Sequence, residues 1–194
     1  MKPKFAFNRR SLLYAFGIAS VSSVLPAQVT TAGKVVVANP GESRFRFANA
    51  EQAWLTPCKL TADDSGGTLS AFELSAHPQT GPQLHVHHRE DEWYFVLAGE
   101  FIFKAGGESH NLRAGGSIWL PRGIPHTWAN ISTEDGKLIL VCQPGGFEKF
   151  FDEMGRELAA VDSEHTREKM KEVMAKYGME LLGPPLFKPL RQGH

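Results

Sequence analysis

From Lys34 to Gln143, short apolar and aromatic runs alternate with clusters of Gly, Pro, Asn and Asp. That is the pattern of many short antiparallel strands separated by tight turns. The runs predict strands over 35–37, 44–47, 68–74, 84–88, 92–98, 100–104, 108–112, 117–120, 127–130 and 137–142. So many strands in so short a stretch predict an all-β sandwich or barrel. After Pro144-Gly145-Gly146 the period changes. Phe147, Phe150, Phe151, Met154 and Leu158 recur at spacings of three and four, which marks one face of a helix. A second helix follows, with Asp162 or Ser163 to cap it, Met170, Val173, Met174 and Tyr177 as its apolar stripe, and Gly178 where a terminator belongs. Such stripes are packing surfaces, expected here to seal the barrel. Arg167, Glu168, Lys169, Lys171 and Glu172 lie mostly between the stripe positions and read as a solvated face. The chain thus divides into a β-barrel over 34–145 and a helical extension with a tail of turn and extended chain over 146–194.

Residues 1–27 read differently. Basic positions from Lys2 to Arg10 precede a modestly apolar stretch from Leu12 to Leu25 and small residues around Ala27, the layout of an export signal. Asn8-Arg9-Arg10-Ser11-Leu12-Leu13 resembles the twin-arginine type. The expectation is an exported protein, periplasmic or extracellular, with no stable membrane span once the signal is removed. The full chain balances 21 basic against 21 acidic residues. The signal holds Lys2, Lys4, Arg9 and Arg10 and no acid, so the remainder is mildly acidic. Such a charge gives no attraction to nucleic acid or to an anionic membrane. With only Cys58 and Cys142, a disulfide scaffold and a Cys-rich zinc site are excluded, and the two read as small apolar side chains.

The chemistry concentrates in Gln83-Leu84-His85-Val86-His87-His88-Arg89-Glu90-Asp91-Glu92. Residues two apart on a strand share a face, so His85 and His87 point together while Val86 and His88 point away. A turn at 89–91 returns the chain alongside, and a carboxylate there completes a two-His, one-carboxylate set, with Glu90, Asp91 and Glu92 as competitors. His126, between Pro125 and Trp128, offers a fourth donor. His77, His110, His165 and His194 lack such company.

These residues resemble the two motifs of the cupin superfamily. His85, His87, Glu92 and Gly99 fit the first, and Gly115, Pro121, Gly123, His126 and Asn130 fit the second at every position. The first motif's opening glycine falls at Gln79, whereas the turn glycine here is Gly81, which reads as the same turn displaced. Fifteen residues separate the motifs, similar to bacterial single-domain cupins. The stretches 82–100 and 144–151 are similar to bacterial proteins grouped with quercetin 2,3-dioxygenases. The resemblance implies a single jelly-roll barrel (a double-stranded antiparallel β-barrel) with two C-terminal α-helices, and it selects Glu92 over Asp91. The implied ligands are then His85, His87, Glu92 and His126, around one divalent ion: iron, manganese, nickel, cobalt, copper or zinc.

It further implies a metal-dependent dioxygenase acting on an aromatic or enolic, flavonol-like small molecule, with Glu92 also accepting the substrate's proton. A non-oxidative isomerase, decarboxylase or lyase, and a non-catalytic binding protein of the cell envelope, use the same site differently. Strand parity places Tyr94 and Val96 with Glu92, and Trp128 with His126, as the substrate pocket. Asn130 is expected to fix a turn or support the ligands. Cupin barrels commonly pair through edge strands, and Arg44-Phe45-Arg46-Phe47 would offer such an edge to a homodimer.

Overall fold

The computed structural model describes residues 34–49 and 55–187; the signal segment 1–27 and His194 lie outside them. Two five-stranded antiparallel sheets face each other. The strands are β1 (Cys58–Leu60), β2 (Ser70–Ala76), β3 (His85–His87), β4 (Asp91–Ala98), β5 (Glu100–Ala105), β6 (Glu108–Arg113), β7 (Ser117–Leu120), β8 (His126–Asn130), β9 (Gly136–Gln143) and β10 (Met179–Leu181). One sheet runs β1-β2-β9-β4-β7 and the other β10-β3-β8-β5-β6. This is a cupin jelly roll, all-β among the described residues but for three helices: α1 (Ala62–Ser65), α2 (Phe147–Ala159) and α3 (Thr166–Lys176).

Alternation drives the packing. Phe72 and Leu74 on β2, Tyr94 and Val96 on β4, and Leu138 and Leu140 on β9 are buried, while the residues between them are more exposed. They meet Phe101 and Phe103 of β5 in one core. On β8 all five residues are buried, polar His126, Thr127 and Asn130 included. Asn130 takes the fixing role expected of it. Its amide Nδ2 donates to the carbonyls of Ala76 and Glu134, and its Oδ1 accepts from the Ser132 N–H.

Three expectations change. Residues 35–37 and 44–47 form no strand: Val35 and Val37 are exposed, and Phe45 and Phe47 pack on each other at 5.0 Å. Within the single chain the Arg-Phe alternation is engaged by that packing and by the Arg44–Asp64 ion pair at 2.8 Å. Strands β1 and β10 and helix α1 were not expected. Helix α1 is set by a capping box in which the Thr61 hydroxyl accepts from the Asp64 N–H and the Asp64 carboxylate accepts from the Thr61 N–H. Strand β10 pairs Met179 with His87 and Leu181 with His85, so the chain after α3 holds the ligand strand from outside.

The third change concerns Gln79. The turn is not displaced to Gly81: Gln79 itself adopts the left-handed backbone, φ 58°, at the position where the motif has glycine. Gly81 serves a different need, because a Cβ there would lie 1.8 Å from the Trp128 carbonyl oxygen. Contact with β8 demands the absence of a side chain.

Both C-terminal helices form. Asp162 accepts from the N–H groups of Glu164 and His165 in the turn before α3, and Thr166 opens the helix. On α2 the fully buried Glu148 accepts from the Ala62 N–H, at the start of α1, and from the Ser70 hydroxyl. That double contact anchors the helical extension to the barrel. Cys58 and Cys142 are free and buried, as small apolar side chains would be. Among the described residues no helix is long and apolar enough to cross a membrane.

Candidate metal centre

His85 and His87 leave β3 on one face, Glu92 stands at the start of β4, and His126 opens β8 directly opposite His85. All four are buried, with one ligand atom from each lying within 4.8 Å of the others. His85 Nε2 lies 3.1 Å from His87 Nε2, His126 Nε2 3.0 Å from Glu92 Oε2, and His87 Nε2 3.5 Å from Glu92 Oε1. Neighbouring donors bound at right angles to one ion at ~2.1 Å stand about 3.0 Å apart, so the set fits a single divalent cation. The Nε2 atoms of His85 and His87 share this short distance, and an imidazole whose proton sits on Nδ1 presents its Nε2 lone pair there, as a metal ligand does.

Local chain geometry aims the rings. Nδ1 of His85 lies 2.6 Å from the Gln83 carbonyl and Nδ1 of His126 2.9 Å from the Ile124 carbonyl, each two residues back. Those carbonyls fix the proton on Nδ1 and turn Nε2 to the centre. His87 Nδ1 lies 3.4 Å from Glu90 Oε2, which does the same work through a side chain. So Glu90 supports a ligand from behind. Asp91 is bound by Arg122 at the surface, at 2.7 Å, and of the three candidate carboxylates only Glu92 reaches the centre.

Charge follows from this packing. Burial pushes the Glu92 carboxyl up, but His87, His126 and His85 outweigh burial and hold it down at about 2. Burial, with the charges of His126 and His87, takes His85 down to about 3. His126 is raised against the opposing effect of burial by its contact with Glu92. The Tyr94 hydroxyl donates to Glu92 Oε2 at 3.1 Å, and burial followed by the Glu92 charge raises it well above the ordinary range. Sequence reasoning did not single out Cys142, whose Sγ lies 3.9 Å from Glu92 Oε1; strand parity alone would not reveal it, because it lies across the sheet in register with Glu92.

His85, His87 and Glu92 open onto a cavity of about 550 Å³. Tyr94 and Trp128 line it, whereas Val96 is wholly buried in the barrel core and is not on its wall. The rest of the wall includes side chains read above only as packing, Phe147 and Phe150 of α2 and Met170 and Met174 of α3.

Fold and site together define a cupin with a buried three-histidine, one-glutamate group positioned for one metal ion. The cupin domain family matches residues 72–142, which run from β2 through β9, so this part of the chain is similar to a cupin domain. The HTH-type transcriptional regulator PuuR of Escherichia coli is 30% identical over 80 residues, 41% of this chain and 43% of the regulator. The chain therefore spans under half the length of that relative. Among solved structures, an RmlC-like cupin of Shewanella frigidimarina is 24% identical with a TM-score of 0.39, covering 43% of this chain and 72% of its own. A protein of Thermotoga maritima described as a predicted oxalate decarboxylase is 22% identical with a TM-score of 0.45, covering 46% and 78%.

Proposed function

We propose that His85, His87, Glu92 and His126 hold one divalent metal ion and that the protein is an oxidoreductase of the dioxygenase type, acting on an aromatic or enolic small molecule. The observation that carries this reading is the placement of Glu92. Its carboxylate is fully buried yet faces an apolar cavity, next to the Tyr94 hydroxyl and three imidazole nitrogens. A bound ion would be held by these four side chains and would supply Lewis acidity there.

The protein's own groups do the rest. Glu92 stands where it can accept the proton of an enolic hydroxyl, and the Tyr94 hydroxyl donates a hydrogen bond to its Oε2. The aromatic faces of Trp128 and Phe147 suit a planar ligand. The test is to measure the metal content of the purified protein and follow oxygen consumption with flavonols and enediols. Oxygen uptake matching substrate loss is expected. Turnover without oxygen would replace the reading with an isomerase, decarboxylase or lyase, and binding without turnover with an envelope binding protein.

We also read residues 1–27 as an export signal of the twin-arginine type, placing the protein outside the cytoplasm. Replacing Arg9 and Arg10 by Lys should retain it inside in a cell-fractionation experiment; unchanged export would refute the reading.

A further inference from the structure

The cavity has two unlike walls. His85, His87, Glu92, Tyr94 and Trp128 form the barrel side, and Phe147, Phe150, Phe151 and Met154 of α2 with Met170 and Met174 of α3 form the other. Met179 of β10 joins them, so every methionine of the chain except Met1 borders this one space. That concentration is not needed for sealing alone, which Leu or Ile would do with fewer rotatable bonds. Thioether side chains re-pack around bodies of different shape, and their sulfur packs well on aromatic rings.

The backbone beneath them is pinned. The Tyr177 hydroxyl and the Lys176 ammonium both donate to Glu153, tying the end of α3 to α2, while Glu148 ties α2 to α1. Movable side chains thus stand on a fixed frame. Among the described residues lining the cavity there is no Lys and no Arg, and the histidine there outside the metal group, His77, is engaged by Asp135 at 2.8 Å. A carboxylate or phosphate on the far part of a ligand would lose its water there and gain no counter-charge.

We infer that the helical extension is the specificity element of the site: its Met and Phe wall admits uncharged apolar bodies of varied shape and rejects anionic ones. The inference rests on the metal-centre reading for the ligand's oxygen-bearing head, and on the cavity alone for its body.

A series of 3-hydroxy-4-pyranones with hydrogen, methyl, ethyl, phenyl or 4-carboxyphenyl at C2 tests it. Each is titrated calorimetrically under argon into the nickel-loaded full-length protein and into the metal-free protein. Affinity rises on the order of tenfold or more from methyl to phenyl, as burial of an aromatic ring predicts. The carboxyphenyl member falls back by on the order of tenfold or more, for want of a counter-charge. The double variant Met154→Phe, Met170→Phe loses the phenyl increment while keeping its nickel and its affinity for the unsubstituted head. Met154→Ala, Met170→Ala moves the other way, favouring a naphthyl over a phenyl body, and decides the matter if the first variant does not fold.

Equal affinity across the series, tolerance of the carboxylate, or wall variants that shift all members alike would overturn the inference. If the protein takes up no nickel, the metal-centre reading falls. The body increment on metal-free protein then judges the wall by itself: present, the inference stands; absent, it falls.

Discussion

The two walls of the cavity hold side chains by different means. On the barrel side each functional group is aimed by a hydrogen bond: Gln83 and Ile124 carbonyls behind His85 and His126, Glu90 behind His87, and Tyr94 beside Glu92. On the helical side Met154, Met170 and Met174 are held by packing alone, on a backbone fixed through Glu148 and Glu153. The contrast teaches where precision is needed. Ligand atoms must converge within a few tenths of an ångström to bind an ion, whereas an apolar body needs only contact and volume.

The sharpest way to break this comparison is on the barrel side. His87→Ala removes one donor outright. It should lower metal affinity by more than the ~10–100-fold that loss of an outer hydrogen-bond partner costs, as read by competition with a chelator. Unchanged metal content would refute the ligand assignment. Next, Gly81→Ala drives a methyl into the Trp128 carbonyl and should cost roughly 3 kcal/mol or more in denaturant unfolding, through strain and overpacking.

Asn130→Ala leaves the carbonyls of Ala76 and Glu134 and the N–H of Ser132 without their partner, an expected loss of about 2–4 kcal/mol with the metal ligands untouched. On the helical side Met170→Leu should change stability by less than about 1.5 kcal/mol, and leave metal content as it was. A larger effect would mean that the wall is as exacting as the centre. Smallest of all, Gln79→Gly relieves a left-handed backbone and should raise stability by up to about 1 kcal/mol, since glycine's greater freedom when unfolded offsets part of the gain.

Much of this was legible in the chain. The parity of His85 and His87, the period change at Phe147 and the glycine turns are local, and local geometry places them. The donor set is another matter. Spacing left Glu90, Asp91 and Glu92 in competition, and resemblance to the cupin motifs favoured Glu92. Tertiary contacts separate the three: Arg122 binds Asp91, His87 engages Glu90, and Glu92 enters the centre. Residues 44–47 show the opposite failure, a clean alternation that makes no strand: the Arg44 N–H bonds the Cys58 carbonyl of β1, but among the described residues no ladder continues from it.

By itself, the sequence determined the elements that periodicity and turn chemistry encode: a many-stranded barrel, two helices after it, and a strand presenting two imidazoles on one face. Only the tertiary structure decided that β10 covers the ligand strand, that Gln79 bends as a glycine would while Gly81 yields space to Trp128, and that the methionines of the extension surround the same cavity as the histidines. The physical reason is range. Alternation and capping act between residues a few positions apart, while a cavity wall is an agreement among side chains from β2 to β10 that no local pattern records.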